Sequence, residues 1–222
     1  MSTRKHDFVV GEYYHIYNRG VDKRDIIIDS SDLQRLLQSL EEFNTIEPIR
    51  SIYENSFRKG KTPPGDKAPK LVEIVAFCIN PNHFHLLLTP LEESGIEKFM
   101  QRIGGYTKYF NNKYNRTGRL FQDKFKSKHI SNNTYLLHLS AYINMNNLDS
   151  LGSKASKLSF SSLDEYLVNK KICNPSIVLE QFNNKNDYKK FVYNSWKETY
   201  KRKNQLKLSE VSFDNLEALL PS

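Results

Sequence analysis

Aromatic and β-branched residues fill Tyr13-Tyr14-His15-Ile16-Tyr17-Asn18-Arg19-Gly20, and the run stops at glycine, the pattern of a strand entering a turn. Asp29-Ser30-Ser31-Asp32 then offers N-cap residues. Leu33, Leu36, Leu37, Leu40 and Phe43 follow at helical spacing, which predicts a helix over about 31–45. Leu71 to Ile79 is an apolar run of strand length, Asn80-Pro81-Asn82 turns the chain, and His83 to Thr89 returns as a second strand closed by Pro90. From Gly95 to about Asn112 the pattern is helical, with Ile96, Phe99, Met100, Ile103 and Tyr106 on one face. Residues 118–130 alternate basic and apolar side chains around a strand. Asn132-Asn133-Thr134 can cap a further helix carrying Leu136, Leu137, Leu139, Tyr142, Ile143 and Met145. Strands and helices mixed in this order predict an α+β sandwich, with helices packed on an antiparallel sheet.

Two stretches break the pattern. Residues 55–70 hold Gly, Pro and Lys with almost nothing apolar, which marks a loop within an insertion over 47–70. After residue 165 the chain becomes rich in Lys and Asn, with Phe182, Tyr188, Phe191, Trp196 and Tyr200 as aromatic anchors. That predicts a catalytic or binding domain over 1–165 and a basic helical extension over 166–222, either docked on the core or reaching toward a partner.

Composition narrows the partners. A 222-residue chain that is 38% hydrophobic, with 13 Phe and 13 Tyr, can bury a sizeable core. Its formal charge of +8 suits a phosphate-rich partner, because each cation placed on a phosphate releases a condensed counterion. Cys78 and Cys173 are the two cysteines; they lack metal-ligand spacing and suit a reducing compartment. No run approaches the roughly 20 apolar residues of a membrane span, and the opening residues lack a signal-peptide stretch. The expectation is a cytoplasmic protein with no membrane partner.

Three groups of residues carry chemistry. On a strand, His83 and His85 project from one face while Phe84 enters the opposite layer, and two converging imidazoles suit a divalent metal that still needs further ligands. A hydrogen-bonded surface pair fits the same spacing. On the later helix Tyr142 and Asn146 are four apart and share a face. A tyrosine hydroxyl can attack a phosphodiester when a cation polarises the phosphate, and an Asn carbonyl one turn on can complete the coordination. Packing for Tyr142 and a C-cap role for Asn146 fit equally. His138, also four before Tyr142, reads as a structural histidine or a partner of the tyrosine hydroxyl.

The third group is the stretch 101–135. Arg102, Lys108, Lys113, Arg116, Arg119, Lys124, Lys126 and Lys128 stand against the single acid Asp123, with Tyr106, Tyr109, Phe110, Tyr114, Phe121 and Phe125 among them. Phosphate clamps mixed with stacking platforms are what single-stranded nucleic acid uses, although part of these aromatics must belong to the core. Arg119, Lys124 and Lys126 are the better phosphate contacts, with Lys124 and Lys126 placed on one face of a strand. Arg19 sits where the first strand ends, able to contact a phosphate or to pair with an acid.

Taken in order, YHIYNRG, NPNHFHLLL, GGYTKYFNNKYNRTGRLFQDKFKSKHI and AYINMNN resemble the REP-associated tyrosine transposases of the single-tyrosine HUH (IS200-like) group, over about Tyr13 to Tyr166. The resemblance implies a ferredoxin-like α+β fold, HUH-endonuclease in kind. It implies Mg²⁺ or Mn²⁺ on His83, His85 and Asn146, with Tyr142 as the nucleophile of a single-stranded DNA cleaving and rejoining enzyme. The implied intermediate is a 5′-phosphotyrosine, and the implied partner is single-stranded DNA bearing a hairpin. Arg19, Arg116, Arg119, Lys124, Lys126 and Lys128 are the expected DNA-binding residues, and the active unit is a monomer or a homodimer. The chain departs from the family pattern at Asn80, usually Met, at Asn144, usually His, and at Asn147, usually Pro. A domesticated hairpin-binding protein without cleavage is the principal alternative. A metal-dependent phosphoesterase that survives loss of Tyr142 is a third.

Overall fold

Strand β1 (Tyr13–Arg19) occupies an inner position of a five-stranded antiparallel sheet formed with β2 (Val72–Asn80), β3 (His83–Pro90), β4 (Lys126–Ile130) and β5 (Phe160–Ser161), in the order β4-β1-β3-β2-β5. The helices are α1 (Ser30–Glu42), α2 (Ile52–Arg58), α3 (Gly95–Ile103), α4 (Tyr106–Lys113), α5 (Asn133–Met145), α6 (Leu163–Leu167), α7 (Ser176–Leu179) and α8 (Lys185–Gln205). These positions come from a computed structural model, which describes residues 7–58, 68–148, 157–168 and 171–205. A βαββαβ chain whose first four strands lie in the order 4-1-3-2 is ferredoxin-like, as the sequence led us to expect. Most of the 47–70 insertion's loop and the end of the chain beyond residue 205 fall outside the described residues. Among the described residues no helix is long and apolar enough to cross a membrane.

Register decides which side chains share a face. Tyr17 lies opposite His85, Arg19 opposite His83, and across the hairpin Cys78 and Asn80 lie opposite His85 and His83. On the other side of β1, Lys126 faces Tyr17 and Lys128 faces His15. Because side chains alternate along a strand, His15, Tyr17, Arg19, Cys78, Asn80, His83, His85, Lys126 and Lys128 share one face, and Ile16, Phe77, Ile79, Phe84, Leu86 and Leu88 share the other. Leu36 and Leu40 of α1 and Ile103 of α3 close over Ile79, Phe84 and Leu86 on the apolar face. Helix α5 covers the polar one, and α8 packs on α5.

Two predicted elements differ from their expected form. The helix expected over 95–112 is two helices, broken at Gly104-Gly105, where Gly105 N–H reaches Arg102 O and Thr107 N–H reaches Gly104 O in tightened i→i+3 bonds. Paired glycines lack the side chains that favour the α-helix and permit the kink. The basic strand is also shorter than its pattern. Residues 118–125 do not join the sheet beyond an isolated bridge of Phe121 to Gly20, and regular pairing starts at Lys126. Gly118 adopts φ +83° just before the crossing, and β1 has ended at Arg19, so no long partner strand remains. Lys124 and Lys126 therefore do not share a strand face; Lys126 and Lys128 do. The C-terminal extension is docked, since Tyr188 of α8 is fully buried. The boundary drawn after residue 165 falls inside α6.

Helix α1 begins with a capping box. Asp29 accepts from the N–H groups of Ser31 and Asp32, and Asp32, wholly buried, accepts from those of Ile28 and Asp29. Lys113 ties α4 to this corner, at 2.7 Å from an oxygen of each carboxylate, and Tyr114 donates to Asp32 at 2.7 Å. Burial pushes the Asp32 carboxyl up, but the bonds from Lys113, Tyr114 and the two backbone groups outweigh it and hold it below the usual carboxylate range.

Replacing Asp32 with Ala would strand these donors, and we expect a loss of about 3 kcal/mol in urea unfolding. Because the folded-state value is depressed, the stabilisation is complete above the ordinary carboxylate pKa and is lost as pH falls through the folded one. The melting temperature of the wild type should therefore fall more steeply on acidification below about pH 4 than that of Asp32→Asn.

Candidate active site

The end of the β2–β3 hairpin fixes the first imidazole. Asn82 donates from Nδ2 to Lys23 O at 3.2 Å, which leaves its Oδ1 to accept from His83 Nδ1 at 2.6 Å. With its proton on Nδ1, neutral His83 presents a lone pair at Nε2. Burial, partly offset by a hydrogen bond with Asn146, lowers the His83 pKa to about 4, so the ring is neutral at ordinary pH. His85 is fully buried, and its Nδ1 lies 2.9 Å from Nε2 of His15, another fully buried ring. Burial is the main cause that holds His85 well below its usual value; the neighbouring His15, His83 and Arg19 add to it. Burial and then Lys128 lower His15 to about 3. With His85 Nδ1 donating to His15, the second ring also keeps its Nε2 lone pair.

Helix α5 brings the other half. Asn132 caps its start by accepting from Tyr135 N–H, and Asn146 is its C-cap. The sheet-facing side of its last turn carries Tyr142, whose ring meets the His85 ring edge-on at 5.6 Å, and Asn146, whose Oδ1 lies 3.0 Å from His83 Nε2. Burial and the neighbouring Cys78 push the Tyr142 hydroxyl well above its ordinary range, opposed by a hydrogen bond from Asn146 and by the charge of Arg19. The phenol is protonated at rest.

The contact between His83 and Asn146 tests whether these residues suit a cation. Asn80 Nδ2 donates to Asn146 Oδ1 at 2.8 Å, which turns the amide oxygen toward the ring. Two lone-pair-bearing atoms, His83 Nε2 and Asn146 Oδ1, then face each other at 3.0 Å. Adjacent ligands of a six-coordinate Mg²⁺, with bonds of about 2.1 Å, are about 3.0 Å apart. The donor set therefore fits a divalent cation. Among the described residues no group of three or more His, Cys, Asp or Glu side chains is arranged for a metal; the amide oxygen of Asn146 is the further donor set beside the imidazoles.

Of the residues singled out in the sequence, Tyr142, His83, His85, Asn146 and Arg19 are brought together. Arg19 is within electrostatic reach of both histidines and the tyrosine. Lys126 and Lys128 continue the same face outward, Lys126 exposed and Lys128 over the Tyr135 ring at 5.6 Å. Arg116 is instead built into its own loop, donating to Asn111 Oδ1 at 3.0 Å and lying over the Phe110 ring at 5.6 Å. Arg119 and Lys124 are exposed on the crossing segment. His138 points away from Tyr142, its Nδ1 3.0 Å from Ser195 Oγ on α8. A four-residue spacing spans a helix face wide enough to serve two neighbours, so spacing alone could not separate them.

His15, Asn80 and Asn82 were missed as site residues. His15 was legible only as a strand residue two before Tyr17; register is what sets it against His85.

Residues 67–146 match the family described as "Transposase IS200 like", a span that holds His83, His85, Tyr142 and Asn146. Over this segment the chain is similar to the IS200-like transposases. One solved structure with a similar chain is described as "Structure of the REP associates tyrosine transposase bound to a REP hairpin". It is 17% identical, with a TM-score of 0.40, covering 66% of this chain and 72% of that one. No curated protein matches.

Within the matched segment, the motif position usually held by His is Asn144, and here it is structural. Its Nδ2 donates to Tyr188 Oη at 2.8 Å and its Oδ1 accepts from Ser162 Oγ at 2.6 Å, all three side chains being buried. Ser162 Oγ accepts in turn from Phe77 N–H at 2.9 Å. The amide thus ties α5 to α8 and to β2, two residues from the tyrosine. Asn144→Ala should cost about 2 kcal/mol in chemical denaturation by leaving buried groups unpaired, whereas His138→Ala, on the outer side of α5, should leave any Tyr142 chemistry within twofold of wild type.

Proposed function

We propose that this chain is a REP-associated type of transposase that cleaves and rejoins single-stranded DNA beside a hairpin, with Tyr142 as nucleophile. The observation that carries the reading is the convergence of a tyrosine with two neutral imidazoles and an amide oxygen, the last held 3.0 Å from His83 Nε2. His83, His85 and Asn146 would hold Mg²⁺ or Mn²⁺, whose contribution when bound is to polarise the scissile phosphate. Tyr142 Oη forms the bond to phosphorus as its proton leaves. The bond from phosphorus to the 3′ oxygen breaks, and that oxygen takes up a proton to become a free 3′-OH. The 5′ phosphate stays on the tyrosine, and attack by another 3′-OH reverses the step with no external energy source. Arg19 and the Asn146 hydrogen bond favour the phenolate that attack requires.

Lys126 and Lys128 lead from this centre along the edge strand, and a phosphate backbone laid over them would reach Arg19 and Tyr142 in turn. Arg119 and Lys124 extend the basic surface beyond the sheet. The hairpin preference rests on the sequence motifs that resemble the REP-associated branch.

The deciding experiment is a denaturing gel of the protein with labelled single-stranded hairpin oligonucleotides, with and without Mn²⁺. Wild type should give a slow covalent band that needs the metal. Tyr142→Phe should abolish it, and His83→Ala should reduce it at least 100-fold. Cleavage that persists in Tyr142→Phe would establish hydrolysis and sink the proposal; tight binding with neither band nor cleavage would make the chain a hairpin-binding protein. Lys126→Ala and Lys128→Ala should each weaken binding several-fold and lower the salt slope of the affinity by about 0.7, the value for one single-strand phosphate contact.

A further inference from the structure

One polar side chain at the centre of the site has no part in the chemistry above. Asn80, the last residue of β2, is 6% exposed and stands where the motif usually has an apolar residue. Its Nδ2 lies 2.8 Å from Asn146 Oδ1 and 3.1 Å from His83 Nε2. These are the two atoms whose lone pairs would otherwise face each other bare. The amide carries two N–H groups, one for each acceptor, so it satisfies in the cation-free protein both donors that a cation would use. A further contact at 3.3 Å to the Asn146 carbonyl oxygen keeps it against the end of α5.

That arrangement cannot persist once a cation is bound. An NH₂ group, positive at its hydrogens, would then point at a positive ion. A carboxamide resolves the conflict by a half-turn about its last torsion, which exchanges nitrogen for oxygen in nearly the same place. Magnesium and manganese favour oxygen donors, and of the three side chains assigned to the cation only Asn146 offers an oxygen. We propose that Asn80 is a ligand of the cation site: its NH₂ group holds Asn146 and His83 in position when the site is empty, and its Oδ1 becomes an additional oxygen donor when the site is filled. The inference rests on the metal reading above and deepens it.

The test is Mn²⁺ affinity, measured by the loss of the free-ion EPR signal on the intact chain without DNA. Four proteins are compared: wild type, Asn80→Leu, Asn80→Asp and His83→Ala. Leu matches Asn in shape but has neither donor nor acceptor, and Asp keeps the oxygen while losing the NH₂ group. We expect Asn80→Leu to bind Mn²⁺ at least tenfold more weakly, the size of effect that loss of a supporting ligand group produces. Asn80→Asp should bind at least as tightly as wild type. Thermal melts in EDTA establish that each variant is folded, and Asn80→Asp keeps the question open to measurement should Asn80→Leu fold poorly.

Equal or tighter binding by Asn80→Leu would show that Asn80 only fills the place of the ion, and would overturn the proposal. Weak binding by Asn80→Asp would do the same, by showing that the NH₂ group rather than the oxygen matters. If wild type binds no Mn²⁺ that His83→Ala removes, the metal reading itself falls and this inference with it. Asn80 alone fails if His83-dependent binding is intact but indifferent to residue 80.

Discussion

The seat of α5 on the polar face of the sheet is the constraint from which the rest follows. Most of the sheet's interior is apolar on the α1 and α3 side, and that side stabilises the fold with no demand on chemistry. The other face buries two histidines, an asparagine and a cysteine, and half-buries His83, beneath a helix. Burial of polar groups is tolerable only where they satisfy one another. The pairings His15 with His85, His83 with Asn82 and Asn80 with Asn146 meet that requirement and hold each imidazole in one orientation. The same burial keeps the rings neutral, the state in which a nitrogen lone pair can serve a cation. Packing and candidate chemistry are thus two descriptions of one interface.

Much of that interface was legible in the sequence. The two strands around Asn80-Pro81-Asn82 carried their own boundaries, and the alternation at His83-Phe84-His85 fixed which side chains were to share a face. The spacing of Tyr142 and Asn146 did the same for the helix. Pairing register was not legible, since nothing local in YHIYNRG says that Tyr17, rather than Ile16, stands opposite His85. Without register His15 was one more strand residue, and Asn80 was only the start of a turn. Alternation also overstated the basic strand, because Lys124 and Phe125 follow the period without a strand partner for them to pair with. The break at Gly104-Gly105 was present as two glycines in the sequence but hidden by the apolar face that continues across it to Tyr106 and Phe110.

Electrostatics concentrates where β1 stops. Arg19 is the one arginine of that strand, placed opposite His83 at the open end of the site. The crossing segment 118–125 closes over the same end, with Val21 N–H bound to Leu120 O and Gln122 N–H to Arg19 O. The cation is therefore carried on backbone fixed from two directions. A positive charge held so close to a half-buried phenol and two neutral rings favours an anion at their meeting point, and disfavours protonation of the rings in the same stroke.

Asn144 gives the C-terminal helix a meaning beyond packing. Its amide is matched at one end by the Tyr188 hydroxyl and at the other by Ser162, so three distant stretches of sequence share a single buried hydrogen-bond circuit. Such a circuit accepts change only in concert: a histidine at 144 would bring a different shape and one fewer donor, and the tyrosine and serine around it would lose part of their matched bonding. The identity of residue 144 and the docking of α8 are thus coupled through one buried amide. Without α8 the helix that carries the tyrosine would be left with an unmatched buried amide two residues away.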